Sequence, residues 1–265
     1  MDADQAIDYL LDAPPLALTT DFDGTMSEIA PSPEEAAIDP RCLASLAKLV
    51  SVLPLVAVVS GRQVEDVRRL VGLAGVVYLG NHGFEMYVNG ATHVAPAASE
   101  HFLTVRRILE AARQQLDLPG LLFEDKVTSA SIHYRLAADP SAARERVTLC
   151  LKALTEGTDM RVEQGRRVVE LRPPVDADKG TALADLLARH DVASVVYAGD
   201  DTTDLDAFAG IRRWASATNH RALAVAVISR EMPPRLRAEA DLTVEGVGGW
   251  ADFLDALLEA IIAEA

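Results

Sequence analysis

Apolar runs and helical patterns alternate along the first 83 residues. Three short apolar runs begin at Leu16, Leu55 and Val76, and runs of this kind are typical of strands buried on both faces of a parallel sheet. Between them, apolar residues recur at the spacing of an amphipathic helix. The residues with this spacing are Leu43, Leu46, Ala47 and Val50, and then Val64, Val67, Leu70 and Val71. The alternation predicts a doubly wound parallel sheet of the α/β class.

The pattern changes after residue 83. An Asn89-Gly90 pair lies at the centre of the segment 84–94, which predicts a β-hairpin. Residues 97–172 then show paired strand patterns between helical patterns, and this order predicts a small antiparallel α+β domain. The predicted strands of this part lie near 121–125, 128–135, 159–164 and 167–172.

The alternation of strands and helices resumes after Pro173-Pro174. We predict, in order, a helix over about 179–190, a strand over 194–198, a helix near 203–212, strands over 222–228 and near 241–244, and a final helix with Trp250 on its apolar face. The chain is thus predicted to fold as a core of residues 1–95 and 174–265, interrupted by an inserted domain of residues 96–173.

Composition and charge restrict the possible partners. Hydrophobic residues make up 49% of the 265 positions, which favours a globular fold over disorder. The net charge of −15 argues against nucleic acid or an anionic membrane surface as a partner. No apolar run has the length of a bilayer span and the N-terminus lacks the basic start of a signal peptide, so we expect a cytoplasmic protein. Cys42 and Cys150 fall in helical patterns and are interpreted as small buried apolar residues.

Polar residues stand where the predicted strands end or a helix begins. Asp21 and Asp23 follow the first strand, Ser60 follows the second, Asp200 follows a later strand, and Lys179 opens a helix. Asp-Gly is also a common turn sequence, so an Asx turn is the alternative for the first pair taken alone. Because the carboxyl ends of parallel strands meet at one edge of a sheet, we expect these groups to share a cleft there.

These residue types suit the transfer of a phosphoryl group to a carboxylate. Asp21 is predicted to be the nucleophile, because an acyl phosphate forms readily and is then easily hydrolysed. Asp23 is predicted to give a proton to the leaving alkoxide and later to take one from water. Ser60 and Lys179 are expected to bind the phosphoryl oxygens, on which negative charge must be held in the transition state.

A divalent cation fits the same acidic groups. We expect Mg²⁺ to be held by Asp21, Asp23 and Asp200, with Asp201 and Asp204 supporting, because hard cations prefer carboxylate oxygens. The cation is expected to keep the nucleophile ionised and to reduce its repulsion of the phosphate. It also supplies local positive charge, which an anionic substrate needs in so acidic a chain.

The order of these motifs resembles that of the haloacid dehalogenase superfamily of phosphohydrolases. Members of that superfamily carry Asp-x-Asp-Gly-Thr, then a Ser or Thr, then a Lys, and last an acidic Gly-Asp-Asp loop, and all four motifs occur in this order over residues 16–208. The insertion between the second and third motifs is similar to the larger α/β cap of the superfamily. The resemblance implies a doubly wound catalytic core with an inserted cap domain.

A finer resemblance is to the trehalose-6-phosphate phosphatase family. The segments that carry it are Ser60-Gly61-Arg62, Gly80-Asn81-His82-Gly83, Glu124-Asp125-Lys126, Ser131 to Arg135, Val169 to Pro173, Asp178-Lys179-Gly180 and Gly199 to Asp204. The resemblance implies that Glu124, Lys126 and Glu170 bind the hydroxyl groups of the sugar. Without it, Glu124 and Lys126 could form a surface ion pair of little energy, and Glu170 could simply be exposed. His133 could have a structural role inside the inserted domain instead of contacting a ligand.

Three residues of the core are also predicted to contact substrate. Arg62 either orients the phosphate or begins a helix, and we assign it to the substrate together with Asn81 and His82. His82 has glycine neighbours, which permit a close approach of the backbone to a ligand. Leu205 departs from the family, which usually has a Glu at this position, and leaves the placement of the neighbouring loop open.

Three functions are compatible with these residues. The first is Mg²⁺-dependent hydrolysis of trehalose 6-phosphate through an aspartyl-phosphate intermediate, and the second is the same chemistry on sucrose 6-phosphate, mannosyl-3-phosphoglycerate or a simple hexose phosphate. The third is a receiver-like signalling module that accepts phosphate on Asp. Such a module needs its acceptor Asp at a later strand end, where this chain has Ser60, and has no use for the inserted domain. The expected partner is a sugar phosphate, and the sequence does not support a trehalose-6-phosphate synthase as a second partner.

Overall fold

The computed structural model describes residues 1–229 and 232–264 and divides into two compact units. The first unit consists of Met1–His93 and of the chain from Ala177 onward, and the second is Val94–Asp176. Among the helices in the described ranges, none combines the length and the apolar character needed to cross a membrane.

The helices and strands have the following bounds. The chain begins with α1 (Ala3–Leu11), β1 (Leu16–Thr20), α2 (Pro40–Val52), β2 (Leu55–Val59), α3 (Val64–Val71), β3 (Val77–Gly80), β4 (Glu85–Val88) and β5 (Ala91–Val94). The second unit contains α4 (Pro96–Ser99), α5 (Phe102–Gln115), β6 (Leu122–Asp125), β7 (Ala130–His133), α6 (Pro140–Leu154), β8 (Arg161–Gly165) and β9 (Val168–Arg172). The first unit resumes with α7 (Lys179–Leu187), β10 (Ser194–Gly199), α8 (Asp204–Thr218), β11 (Arg221–Ile228), α9 (Pro234–Glu239), β12 (Leu242–Glu245) and α10 (Gly246–Glu264).

The first unit is built on a sheet with the strand order β12-β11-β10-β1-β2-β3-β4-β5. Neighbours from β12 to β3 are parallel, and β4 pairs with β3 in the antiparallel direction. Leu16 of β1 lies opposite Ser194 of β10, and Ala17 lies opposite Leu55 of β2. The strand order reverses at β1, and open α/β sheets bind ligands at the carboxyl ends of the strands beside such a reversal. The predicted α/β class and doubly wound parallel sheet are confirmed.

Both faces of β1 are buried, as its continuous apolar run predicts. Leu18 belongs to an apolar cluster that contains Trp250 of α10. Ala17 belongs to a separate cluster with Leu183 of α7 and Phe208 of α8. Each fully buried Leu or Phe side chain contributes about 1.5–3 kcal/mol to folding. Helices packed on the two faces therefore hold the sheet. The same packing places the first residues of α7 and α8 near the ends of the strands.

Helix α1 was not predicted. The carboxylate of Asp2 accepts a hydrogen bond from Gln5 N at 2.9 Å, and the Gln5 side chain accepts one from Asp2 N at 3.2 Å. This reciprocal pair is a capping box, which satisfies two N–H groups at the helix start. Ala6, Ile7 and Leu10 form the buried face of the helix, and their burial holds it against the core of the first unit.

The second unit is an antiparallel sheet with the strand order β6-β7-β9-β8, accompanied by α5 and α6. Its core joins Val105 and Ile108 of α5 and Val147 of α6 to Ile132 of β7 and Val169 of β9. The four strands lie where paired strand patterns were predicted. Because side chains alternate between the two faces of a strand, the residues between the apolar ones share the opposite face of this sheet.

Candidate active site

Asp21 begins the loop that follows β1. Its N–H donates to the carbonyl oxygen of Ala198 at 2.8 Å, which continues the pairing of β1 with β10 one residue past the strand. Its side chain is buried. Gly24, three residues later, has a φ of +85°, and a Cβ at this position would collide with the carboxylate of Asp200. The glycine thus lets the loops after β1 and β10 bring Asp21 and Asp200 together.

Lys179 is the first residue of α7. The helix begins where the carboxylate of Asp178 accepts a hydrogen bond from Thr181 N at 2.7 Å. The buried ammonium of Lys179 donates to Asp21 Oδ1 and to Asp204 Oδ1, each at 2.7 Å. An ammonium has three donors. Two of these donors are used in hydrogen bonds to residues that the structure describes, which leaves one N–H for a substrate oxygen.

The carboxylate of Asp204 connects the parts of the site. Its Oδ1 accepts hydrogen bonds from Lys179 Nζ and, at 2.6 Å, from the hydroxyl of Tyr197. Its Oδ2 accepts from the N–H groups of Asp200 and Asp201, each at 2.8 Å. Four donors therefore fix this carboxylate, which in turn orients the ammonium and the acidic loop. Asp204 thus supports the site through positioning.

Tyr197 was not predicted as a site residue. It lies inside β10, where the apolar run is typical of a core strand, and its ring packs edge-on against Phe208 with 6.1 Å between centroids. Its hydroxyl reaches the acidic cluster through a hydrogen bond to Asp204. The sequence signal that could have found it is a tyrosine in an otherwise apolar strand, three residues before Asp200.

Burial and charge shift the pKa values of this cluster. Burial raises the pKa of Asp21 well above its ordinary value; Lys179 opposes the rise, and the carboxylates of Asp204 and Asp200 add to it. Burial lowers the pKa of Lys179, but Asp204 and Asp21 outweigh that effect and the net direction is upward. Burial, followed by the charge of Asp204, raises the pKa of Tyr197 well above its ordinary value. At neutral pH the ammonium and the phenol thus both remain hydrogen-bond donors.

The acidic cluster fits a divalent cation. Asp21, Asp200 and Asp204 each offer a carboxylate oxygen, and these oxygens lie within 4.8 Å of one another. Three buried carboxylates face one ammonium, so a hard cation would balance the excess negative charge. Asp204 already accepts four hydrogen bonds, which makes Asp21 and Asp200 the better candidates for direct ligands. The carboxylate of Asp23 is not part of this cluster.

Arg62 holds the carboxylate of Asp23. Its Nε donates to Oδ2 at 2.7 Å and its Nη2 donates to Oδ1 at 2.8 Å, so the pair is bidentate. Its Nη1 donates to the carbonyl oxygen of Pro33 at 2.8 Å, and its guanidinium lies 5.7 Å from the centroid of the Phe22 ring. Arg62 therefore orients the predicted acid–base residue, a role that sequence reasoning did not assign to it.

Main-chain hydrogen bonds join the loops after β2 and β3. Asn81 N donates to Arg62 O at 2.6 Å, and His82 N donates to Ser60 O at 3.0 Å. Asn81 and His82 both have positive φ, of 51° and 57°, so this connection is tightly turned. A Cβ on Gly61 would collide with the His82 ring. Ser60, Arg62, Asn81 and His82 thus lie together beyond neighbouring strands.

The second unit carries its own polar cluster, on one face of its sheet. Lys126 Nζ lies 3.2 Å from Glu170 Oε1 and 4.0 Å from Glu124 Oε2. Ser131 donates to the same oxygen of Glu170 at 3.2 Å, and His133 Nε2 lies 2.8 Å from Glu124 Oε2. Lys126 and Glu170 are both buried, so this cluster differs from the exposed ion pair weighed as an alternative.

Comparison with known proteins places the chain in a family. A profile of the family described as trehalose-phosphatase matches residues 19–239. The trehalose-phosphate phosphatase of Mycobacterium tuberculosis (strain H37Rv) is 40% identical over 202 residues, which cover 72% of this chain and 50% of that protein. The chain belongs to the trehalose-phosphatase family. It spans about half the length of the curated relatives it matches.

Solved structures agree with this family at the level of the fold. The C-terminal domain of the C. albicans trehalose-6-phosphate phosphatase has a TM-score of 0.79 and 21% identity, with 98% of this chain and 97% of that chain covered. A haloacid dehalogenase-like hydrolase from Bacteroides thetaiotaomicron has a TM-score of 0.63 and 16% identity, with 91% and 98% covered.

Leu205, which departs from the pattern of the trehalose-phosphatase family, lies in the first turn of α8. Its side chain is buried in the apolar cluster that also contains Leu183 and Phe208. The neighbouring Asp204 keeps all four of its hydrogen bonds. A leucine is therefore accommodated at this position while the acidic loop retains its contacts.

Proposed function

We propose that this chain hydrolyses trehalose 6-phosphate to trehalose and inorganic phosphate through a phosphorylated Asp21. The observation that carries the proposal is the contact between the Lys179 ammonium and Asp21 Oδ1, at 2.7 Å, in a buried acidic cluster at the end of β1. Membership of the trehalose-phosphatase family supports the substrate and favours an enzyme over a receiver-like module.

In the first step, an oxygen of Asp21 attacks phosphorus, and the bond between phosphorus and the sugar oxygen breaks. Among the described residues, hydrogen bonds to the side chain of Asp21 reach only Oδ1, which leaves Oδ2 for the attack. Asp23 gives its proton to the departing sugar alkoxide. Lys179 and Ser60 stabilise the charge on the phosphoryl oxygens.

In the second step, Asp23 removes a proton from water, and the water oxygen attacks the phosphorus of the aspartyl phosphate. The bond between phosphorus and Asp21 breaks, so the free carboxylate and inorganic phosphate are formed. Arg62 supports this step because its bidentate contact holds the carboxylate form of Asp23, which acts as the base. The acid–base residue is thus kept in one orientation on the same loop as the nucleophile.

Mg²⁺ is the proposed cofactor. Asp21 and Asp200 would hold it directly, while Asp201 and Asp204 support the loop, and its charge would keep Asp21 ionised against the effect of burial. We do not assign the carboxylate of Asp23 to the cation, because Arg62 already binds both of its oxygens. We keep a cytoplasmic location as a prediction from the sequence.

The sugar-binding role is proposed for Glu124, Lys126 and Glu170. The buried contact of Lys126 with Glu170 and the contact of Glu124 with His133 support it, because hydroxyl groups need donors and acceptors that are already oriented. Asn81 and His82 stay predicted substrate contacts of the core, whereas Arg62 is assigned to the orientation of Asp23.

The test is phosphate release from trehalose 6-phosphate, sucrose 6-phosphate and mannosyl-3-phosphoglycerate, each measured with EDTA and after addition of excess Mg²⁺. We expect trehalose 6-phosphate to have the highest kcat/KM, and EDTA to abolish the activity reversibly. A higher kcat/KM for sucrose 6-phosphate would replace the proposed substrate and keep the chemistry. Equal rates with EDTA and with Mg²⁺ would contradict the proposed cofactor.

A further inference from the structure

The hydroxyl of Tyr197 lies inside the polar cluster although the residue belongs to a core strand. Tyr197 occupies the middle of β10, opposite Thr19 of β1 and Ala224 of β11. Its hydroxyl donates to Asp204 Oδ1 at 2.6 Å, and the residue is fully buried. A buried phenol that makes a short hydrogen bond to a carboxylate interacts more strongly than one that donates to a neutral acceptor.

The contact is informative because Tyr197 and Lys179 share one oxygen. Asp204 Oδ1 accepts from both, at 2.6 and 2.7 Å, while Oδ2 is held by backbone N–H groups. The Lys179 ammonium divides its hydrogen bonds between Asp204 and Asp21. A donor from Tyr197 satisfies part of the Oδ1 charge and so weakens the competition of Asp204 with Asp21 for the ammonium.

We propose that Tyr197 is a positioning residue, which acts through Asp204 to keep Lys179 on Asp21 during phosphoryl transfer. This inference rests on the proposed function. Without the hydroxyl, Asp204 Oδ1 has Lys179 as its remaining side-chain donor among the described residues, and the ammonium shifts toward Asp204. The positive charge at Asp21 then weakens, and the transition state loses stabilisation while substrate binding changes little.

The test is Tyr197→Phe, which removes only the hydroxyl. Tyr78→Phe is the matched control, because Tyr78 is also fully buried in a strand of the same sheet and its hydroxyl donates to Leu73 O at 2.9 Å, in a different part of the unit. We expect Tyr197→Phe to lower kcat about tenfold with KM within about twofold, and Tyr78→Phe to leave both within about twofold. Melting temperatures of both variants show whether the two lost hydroxyls cost similar stability.

Three results overturn the inference: a kcat of Tyr197→Phe within about twofold of wild type, an equal fall for Tyr78→Phe, or a change confined to KM. Should Tyr197→Phe not fold, 4-fluorophenylalanine introduced at position 197 nearly preserves the size of the side chain and removes the hydroxyl donor. We then expect kcat to fall about tenfold, and the same replacement at position 78 to leave it within about twofold; an unchanged kcat at position 197 refutes the role of Tyr197.

The inference and the proposed function fail in different ways. Wild-type protein that releases no phosphate from any sugar phosphate with Mg²⁺ present contradicts the proposed function. If the wild-type protein is active and Tyr197→Phe has the same kcat, only the role of Tyr197 is contradicted.

Discussion

Arg62 donates hydrogen bonds to both carboxylate oxygens of Asp23, from Nε to Oδ2 at 2.7 Å and from Nη2 to Oδ1 at 2.8 Å. The two residues lie 39 positions apart in sequence. The contact gives Arg62 a function that differs from phosphate binding. We expect Arg62→Met to lower kcat about tenfold, because the acid–base carboxylate loses its orientation, whereas loss of a phosphate contact would mainly raise KM. Steady-state kinetics on trehalose 6-phosphate separates the two effects.

Arg68→Met is the control for that variant. Arg68 lies on α3 of the same unit, is partly exposed and pairs with Glu65. We expect it to keep wild-type kinetics, since exposed ion pairs contribute little. If Arg62→Met changed KM alone, Arg62 would be a substrate ligand and the orientation of Asp23 would not depend on it.

Gly24 and Gly90 allow the role of the Asp-x-Asp-Gly loop to be tested. The two residues have similar positive φ, of +85° and +83°. A Cβ added at Gly24 would collide with the carboxylate of Asp200, whereas a Cβ added at Gly90 would have no neighbour within 4 Å. Each change to Ala should cost about 1–2 kcal/mol of backbone strain. We expect Gly24→Ala to weaken Mg²⁺ activation by more than about tenfold as well, because Asp200 must move.

The measurement is a Mg²⁺ titration of phosphatase activity, together with the melting temperature of both variants. Gly90→Ala should lose only the stability that corresponds to backbone strain, which is less than Gly24→Ala loses, and should keep the Mg²⁺ dependence of wild type. An equal loss of Mg²⁺ activation in both variants would show that strain alone, and not the displacement of Asp200, is responsible.

Local patterns were sufficient to predict most elements of the first unit. The apolar run at Leu55–Val59 became β2, and the Asn89-Gly90 pair became the turn between β4 and β5, because burial and turn chemistry act over a few residues. Helix α8 extends to Thr218, beyond the predicted 203–212. Its continuation is explained by the burial of Trp214 and by Asn219, whose φ of 56° ends the helix.

Contacts between distant residues were not available from local patterns. Motif order indicated that Asp21, Lys179 and Asp200 belong to one site, because parallel strands end at a common edge. The partners of Asp23 and Asp204 depend on which side chains the packed helices and strands bring within 3 Å. Helix α1 could have been found from the Asp2 and Gln5 capping box, which is a local signal.

The polar cluster of the second unit should control the sugar. We expect Lys126→Met to raise KM for trehalose 6-phosphate about tenfold, because the variant loses a charged donor that is already oriented by Glu170. Hydrolysis of p-nitrophenyl phosphate, which has no sugar, should change by less than about twofold. Lys152→Met is the control, since Lys152 is exposed on α6 of the same unit. Equal losses on the two substrates would assign Lys126 to folding.

The buried thiol of Cys42 should make the protein less stable at alkaline pH. Burial, followed by the charge of Asp39, raises the pKa of the Cys42 thiol from 9.0 to about 12. Between these values the unfolded chain loses a proton that the folded protein keeps, so the free energy of unfolding falls as pH rises. From pH 8 to pH 10 this group should remove about 1.4 kcal/mol. Urea unfolding of wild type and Cys42→Ala at both pH values measures it; an identical fall in both proteins would contradict the shift.

The buried carboxyl group of Asp21 should affect stability and turnover in opposite directions. Burial raises the pKa of its carboxyl group, so the charged form opposes folding in the absence of a cation. We therefore expect Asp21→Asn to melt no lower than wild type in EDTA, and to lower phosphate release by more than about 10³-fold with Mg²⁺. Mass spectrometry of acid-quenched reactions should detect one added phosphoryl group on wild type and none on Asp21→Asn. Retained Mg²⁺-dependent turnover in a folded Asp21→Asn variant would rule out this nucleophile.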